Sequence, residues 1–127
     1  MAKALGIGGV FFKSTDPKKL ADRYAQHLGM RIEDFGGVRF DAGMLPQQAY
    51  AVWCPFNSTT EYFQPSPKEF MLNLMVDDLD AALKQVAAGG AQVVGKIEEC
   101  DYGKFGWFID PEGNKIELWQ PAALPDA

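Results

Sequence analysis

The last strand-forming segment of the chain carries an acidic side chain where an apolar one is expected. Two runs of strand-forming residues, 105–109 and 115–119, flank the turn-forming sequence DPEGN at 110–114. Proline fits the second position of a type I turn and glycine accepts a positive φ, so this stretch predicts a β-hairpin. Glu117 then lies in the middle of an otherwise mostly apolar strand, and it is the first candidate for chemistry.

Side chains alternate between the two faces of a strand. Ile116 and Leu118 therefore share the face that packs on helices, whereas Lys115, Glu117 and Trp119 share the opposite face. A carboxylate on that face could act as a general base, or as a group that binds a cation or a hydroxyl.

The carboxylate could instead be held in an ion pair, with Lys115, Arg39 or Arg31 as its partner. These three roles for Glu117 stay open at the level of sequence.

Bulk properties exclude several classes of protein. The chain has 127 residues, 47% of them hydrophobic, which suits one domain with its own core. The net charge of −5 argues against nucleic-acid binding, which needs a basic surface. No apolar run approaches the ~20 residues that span a membrane, and no signal peptide is recognised, so we expect a cytoplasmic protein. The single histidine, His27, falls on a predicted helix, so no Ser-His-Asp or Cys-His set is available.

The elements that must position Glu117 occur twice along the chain. The first half predicts a strand at 6–13, a helix opened by Asp16-Pro17 and stopped by Gly29, and strands at 30–35, 38–41 and 50–56. A polar loop at 57–69 follows. The second half predicts a strand at 70–76, a helix opened by Asp77-Asp78 and stopped by Gly89-Gly90, a strand at 92–97 and the closing hairpin.

Each half thus predicts a βαβββ module, with the halves at about 5–57 and 69–121. The expected fold class is α+β: tandem modules form a curved mixed sheet with helices outside and a concave cleft left open. Such a cleft is a natural ligand site, and Glu117 faces it.

The quoted motifs resemble a known superfamily. The pattern Asp110-Pro111-x-Gly113-Asn114-x-Ile116-Glu117-Leu118, the helix start VDDLDAAL and the Asp-Pro after the first strand are similar to the glyoxalase/bleomycin resistance/extradiol dioxygenase (vicinal oxygen chelate) superfamily. The likeness runs from about residue 6 to 121 and points to a small glyoxalase-like subgroup. It implies a single domain and a homodimer.

The resemblance also implies four metal-ligand positions, one on each of four cleft strands. In this sequence they fall at Gly9, at Val52 or Trp53, at Met71 or a neighbour, and at Glu117. Only Glu117 matches a family ligand, and one carboxylate does not hold a divalent ion. We therefore expect no cofactor and no metal ligand set, with a divalent metal at Glu117 as the less favoured alternative.

The second use that the superfamily makes of its cleft is drug binding without chemistry, as in bleomycin-resistance proteins. Trp119 faces the cleft by alternation, and Trp53 and Trp107 lie on predicted cleft strands. Aromatic rings on a concave sheet suit a flat or apolar ligand, with Glu117 and Lys115 as polar anchors. The rings could instead pack the two halves or a dimer interface.

The sequence therefore favours a metal-free small-molecule binder, with no nucleic-acid or membrane partner. The alternative is an enzyme of the superfamily, either a lyase similar to lactoylglutathione lyase, an isomerase or a dioxygenase. It would use Glu117 as its catalytic base or metal ligand.

Overall fold

The second half of the chain forms the βαβββ unit that its sequence predicts. A computed structural model describes residues 1, 7, 9–47 and 49–122. Its elements are, in chain order, α1 (Pro17–Leu28), a 3-10 helix (Ala42–Met44), β1 (Leu72–Met75), α2 (Leu79–Ala88), β2 (Gln92–Cys100), β3 (Gly103–Ile109) and β4 (Lys115–Pro121). The α+β class is confirmed.

The four strands make one mixed sheet in the order β1-β4-β3-β2. β4 runs parallel to β1 and antiparallel to β3, and β2 runs antiparallel to β3. The predicted hairpin joins β3 to β4: the Asp110 amide donates to the Asn114 carbonyl at 2.9 Å, and Gly113 takes a φ of 83°. The strand that carries Glu117 is therefore an interior strand, paired on both sides.

The core lies between α2 and one face of this sheet. Ile116 and Leu118 are fully buried there, against Leu79, Leu83 and Val86 of α2. Strand alternation then places Lys115, Glu117 and Trp119 on the opposite face, as predicted. Burying the apolar half of β4 under α2 fixes which way the acidic half points.

Both helices begin where the sequence predicts. The Asp16 carboxylate accepts from the Lys19 amide at 3.1 Å, and the Asp78 carboxylate accepts from the Ala81 amide at 3.0 Å. These contacts satisfy amide groups that have no partner within the helix. α1 ends at Gly29, in the left-handed conformation with a φ of 65°. Within the described ranges, neither helix has the length and apolarity needed to cross a membrane.

The strands predicted in the first half do not form, and that part of the prediction is wrong for the residues described. Segments 30–35 and 38–41 contribute one isolated bridge, between Ile32 and Val38, and 50–56 pairs with nothing in the described chain. A strand needs a neighbouring ladder and a covered face. Phe11 and Trp53 have neither and stay 96% and 80% exposed. Residues 6 and 8 of the first predicted strand lie outside the described chain. The two halves and the homodimer stay predictions.

The turn of the closing hairpin attaches α1 to the sheet. Glu112 accepts from the Ser14 hydroxyl at 2.5 Å and from the Thr15 amide at 2.7 Å, just before α1 begins. Asp110 accepts from the Tyr24 hydroxyl at 3.0 Å, and burial together with the Asp110 charge raises the pKa of that phenol. The acidic residues of DPEGN are therefore structural, and they hold the first half against the second.

Replacing Glu112 by glutamine should make the protein less stable at neutral pH. The hydrogen bonds from Ser14 and Thr15 hold the pKa of Glu112 below its ordinary value. A carboxylate whose pKa is lowered in the folded state stabilises the fold above its ordinary pKa, and that contribution is lost as the pH falls through the lowered value. Thermal denaturation should show a lower Tm for Glu112→Gln at neutral pH, and the difference should shrink on acidification.

The matched control is Glu69→Gln, which alters an exposed glutamate in the polar loop. Its Tm should follow that of the wild type across the same pH range. A Glu112→Gln variant that also follows the wild type would show that this carboxylate does not attach α1.

Candidate functional site

Glu117 accepts hydrogen bonds from three neutral side chains. Its Oε2 accepts from the Tyr62 hydroxyl at 2.5 Å and from Trp107 Nε1 at 2.9 Å, and its Oε1 accepts from Asn73 Nδ2 at 2.8 Å. The residue is only 8% exposed. Charge-assisted hydrogen bonds of this kind are what make a buried carboxylate tolerable. Glu117, Asn73, Trp107 and Tyr62 are called the carboxylate cluster below.

Strand register brings two of the donors to Glu117. Asn73 on β1 and Trp107 on β3 are the residues paired directly with Glu117 in the two flanking ladders. Directly paired residues place their side chains on the same face of a sheet. The three side chains therefore form a row across the sheet, on the face away from α2.

The third donor, Tyr62, comes from the loop between the halves. The loop is held to the sheet by the Ser66 hydroxyl, which donates to the Gly113 carbonyl at 2.6 Å. Burial raises the pKa of the Tyr62 phenol, and its hydrogen bond to Glu117 raises it further. The phenol therefore stays protonated at neutral pH and donates to the carboxylate.

Lys115 lies next to this cluster on the same face. Its Nζ donates to the Tyr62 carbonyl at 2.5 Å and lies 5.0 Å from the centre of the Tyr62 ring and 5.8 Å from that of Trp107. The residue is 9% exposed. Burial lowers the pKa of Lys115, and the charge of Glu117 opposes that shift. An ammonium ion beside two aromatic faces gains cation–π attraction.

A groove of about 390 Å³ opens beside the carboxylate cluster, within the size range of small-molecule sites. A bulge in β2 forms one wall, where pairing shifts between Val94 and Glu98 and Gly95 takes a φ of 72°. The lining residues are Tyr62, Gln64, Pro65, Val94, Gly95, Lys96, Glu98, Trp107 and Lys115. The groove is thus walled by two aromatic rings and edged by three charged side chains.

The structure brings together three of the residues that the sequence selected: Glu117, Lys115 and Trp107. Trp119 shares their face but is covered, because its ring stacks on Phe105 with 6.2 Å between ring centres. Its Nε1 donates to the Tyr102 carbonyl at 2.9 Å. Trp119 therefore packs the sheet and does not line the groove.

Trp53 lies apart from the carboxylate cluster, on an unpaired segment that is open to solvent. Glu117 also forms no ion pair with Lys115, Arg39 or Arg31 among the described residues. Arg39 pairs with Asp41 at 2.7 Å instead. Within the described chain, the carboxylate is held by neutral donors alone.

Sequence reasoning missed Tyr62 and Asn73. Asn73 carried the same signal as Glu117, since it is a polar residue inside the apolar strand sequence FMLNLMV. Tyr62 carried no such signal. It reaches the cluster only because the loop folds back over the sheet, and no local pattern reports that path.

The metal-ligand positions of the superfamily do not fit a metal ion in this protein. Gly9 and Met71 supply no oxygen or nitrogen side chain, and both oxygens of Glu117 already accept hydrogen bonds. Within the ranges that the structure describes, no group of three or more His, Cys, Asp or Glu residues is close enough to hold one. The side chains around Glu117 therefore donate hydrogen bonds to a carboxylate and do not form a set of metal ligands.

An α+β unit of this kind, with a groove on the open face of its mixed sheet, is typical of vicinal oxygen chelate proteins. The chain belongs to the glyoxalase-like domain family, whose model matches residues 9–119. No curated protein matches it.

Solved structures of similar fold come from several bacteria. TnmS3, an antibiotic binding protein from Streptomyces sp. CB03234, is 24% identical with a TM-score of 0.51, and the match covers 85% of this chain and 88% of TnmS3. TioX from Micromonospora sp. ML1 is 21% identical with a TM-score of 0.51, covering 86% and 93% of the two chains. A protein of unknown function from Agrobacterium tumefaciens str. C58 is 23% identical with a TM-score of 0.55, covering 94% and 100%. At these levels of identity, the structural similarity shows a shared fold.

Removing the charge of Glu117 should destabilise the protein more than removing one of its donors. Glu117→Gln replaces one of the two acceptor oxygens by an N–H₂ group and removes the charge that strengthens all three hydrogen bonds, which should cost about 1–3 kcal/mol of unfolding free energy. Tyr62→Phe leaves the carboxylate with two donors and should cost about 1 kcal/mol. Urea denaturation measures both values.

Glu98→Gln is the matched control, because Glu98 is an exposed glutamate at the same groove. It should change stability by less than about 0.5 kcal/mol. If Glu117→Gln costs no more than this control, the carboxylate does not organise the cluster.

Proposed function

We propose that this protein binds a small, flat and largely apolar molecule in the groove lined by Tyr62 and Trp107, without metal and without chemistry. The observation that carries the proposal is the fixed orientation of both groove rings. Each donates a hydrogen bond to the same buried carboxylate, at 2.5 and 2.9 Å. Rings held in place before binding lose little conformational entropy when a ligand stacks on them.

The hydrogen bonding of Glu117 supports binding over catalysis. A general base must present a free lone pair to the substrate proton. Both oxygens of Glu117 face protein donors, and Oε2 accepts two hydrogen bonds. The other conventional base, His27, lies on α1, whose side chains pack on the α2 side of the sheet. Glu117 is thus better suited to positioning Tyr62 and Trp107 than to moving a proton.

The comparison with TnmS3 gives further support. TnmS3 has the same fold and is an antibiotic binding protein. The same fold therefore serves ligand binding in another protein, and the groove described above supplies the volume and the aromatic wall for a ligand.

Ligand binding is tested by thermal-shift screening against flat aromatic compounds. A molecule that binds the folded state alone raises stability by RT ln(1 + [L]/Kd). We expect binders to raise the Tm and to quench tryptophan fluorescence, because Trp107 forms a wall of the groove. Gln64→Trp, which fills the groove from the exposed loop, should abolish the shift.

Ser58→Trp places the same bulk on an exposed loop residue that does not line the groove. It should bind as the wild type does. If Gln64→Trp and Ser58→Trp bind equally well, the ligand binds elsewhere.

Elemental analysis tests the metal-free part of the proposal. The purified protein should contain zinc, nickel, manganese and iron well below stoichiometric amounts, because its residues at the family ligand positions offer only one carboxylate. Thermal-shift responses should also be unchanged by treatment with a chelator. A stoichiometric transition metal that survives gel filtration would instead favour the enzymatic alternative.

A further inference from the structure

Lys115 is a nearly buried cation without a carboxylate partner among the described residues. Buried charges in proteins are normally paired. The ion pairs in the described chain join Lys18 to Asp22, Arg39 to Asp41 and Lys104 to Asp80. None involves Lys115, so no carboxylate oxygen described lies within 4.0 Å of its Nζ.

The nearest candidate partner, Glu117, is already committed. Its charge acts on Lys115 at a distance, but its oxygens accept from Tyr62, Trp107 and Asn73. An ammonium group has three N–H donors. In the described chain, the Lys115 ammonium uses one of them, on the Tyr62 carbonyl. Two N–H donors therefore have no partner among the described residues, and Lys115 lines the groove.

We propose that the ligand carries an anionic oxygen, a carboxylate or a phenolate, that binds the Lys115 ammonium while its ring packs in the groove lined by Tyr62 and Trp107. This inference rests on the proposed binding function and adds the charge of the ligand to it. The ligand anion completes the ion pair that the protein leaves open. A charged pair formed inside a partly desolvated groove is stronger than the same pair in water.

The other charged residues of the groove do not oppose a ligand of negative charge. Lys96 and Glu98 line it from β2, and both are exposed, so solvent screens them. Lys115 is the charged lining residue that is withdrawn from water. Selection by charge should therefore follow Lys115. The sequence left open that the carboxylate of Glu117 anchors a cation or a hydroxyl, and this proposal gives the anchoring role to Lys115.

The test compares three molecules of nearly equal shape and different charge: naphthoate, naphthamide and naphthylmethylamine. Isothermal titration calorimetry at neutral pH and low ionic strength gives Kd for each. We expect naphthoate to bind at least about tenfold more tightly than naphthamide, because one additional charge-assisted hydrogen bond changes Kd by about that factor. Naphthylmethylamine should bind most weakly, because its charge has the same sign as that of Lys115. Added salt should weaken naphthoate more than naphthamide.

Variants assign the preference to one side chain. Lys115→Met keeps most of the apolar stem and should bring the naphthoate and naphthamide Kd values together, whereas Lys115→Arg should keep naphthoate ahead. Lys84→Met, on the exposed face of α2, should leave the preference unchanged. Circular dichroism confirms that each variant is folded. If Lys115→Met is not folded, Lys115→Gln, which is neutral but polar, carries the test, and it should also bring the two Kd values together.

The outcomes separate this inference from the proposed function. Equal binding of naphthoate and naphthamide, or a preference for naphthylmethylamine, overturns the anionic ligand and leaves the binding groove in place. A naphthoate preference that persists in Lys115→Met overturns the role of Lys115. Failure of all three probes, together with failure of the wider aromatic panel, overturns both proposals.

Discussion

The structure of the second half depends on one buried carboxylate. Moving Glu117 out of water is costly, and the cost is offset only while three donors remain in place. Two of these donors, Asn73 and Trp107, are its register partners on both sides. A shift of either ladder by one residue would turn Asn73 or Trp107 to the other face of the sheet and leave the buried charge of Glu117 without that hydrogen bond. Glu117 therefore helps to specify the alignment of β1, β4 and β3, together with the burial of Ile116 and Leu118 under α2.

The DPEGN turn is the second constraint, and it explains how distant segments reach the same site. Glu112 and Asp110 bind the start and the middle of α1, while the Gly113 carbonyl accepts from Ser66. Ser66 anchors the loop that carries Tyr62 to the carboxylate cluster. The DPEGN part of the motif by which the family is recognised is thus structural in this protein. This turn positions the segments that form the groove, and none of its five side chains lines it.

The parts of the fold that the sequence predicts are those fixed by neighbouring residues. The hairpin, both helix starts and the inward direction of Glu117 depend on turn chemistry, capping and alternation. The strands of the first half were predicted from local pattern as well, but pairing requires a partner ladder, and Phe11 and Trp53 remain in solvent. Tyr62 was missed for the converse reason: its position depends on contacts from a loop that has no periodic pattern.

Lys115 and Glu117 show why residue type alone does not assign a function in a cleft. They are two positions apart on one face of one strand, both charged and both nearly buried. The carboxylate has neutral donors on both its oxygens, while the ammonium has one carbonyl and two aromatic faces. The hydrogen-bonding capacity of Glu117 is met by Tyr62, Trp107 and Asn73, so this carboxylate orients the side chains of the site. The Lys115 ammonium beside it lines the groove and uses one N–H donor on a described residue, so in the proposed binding mode it is the group that a ligand anion would pair with.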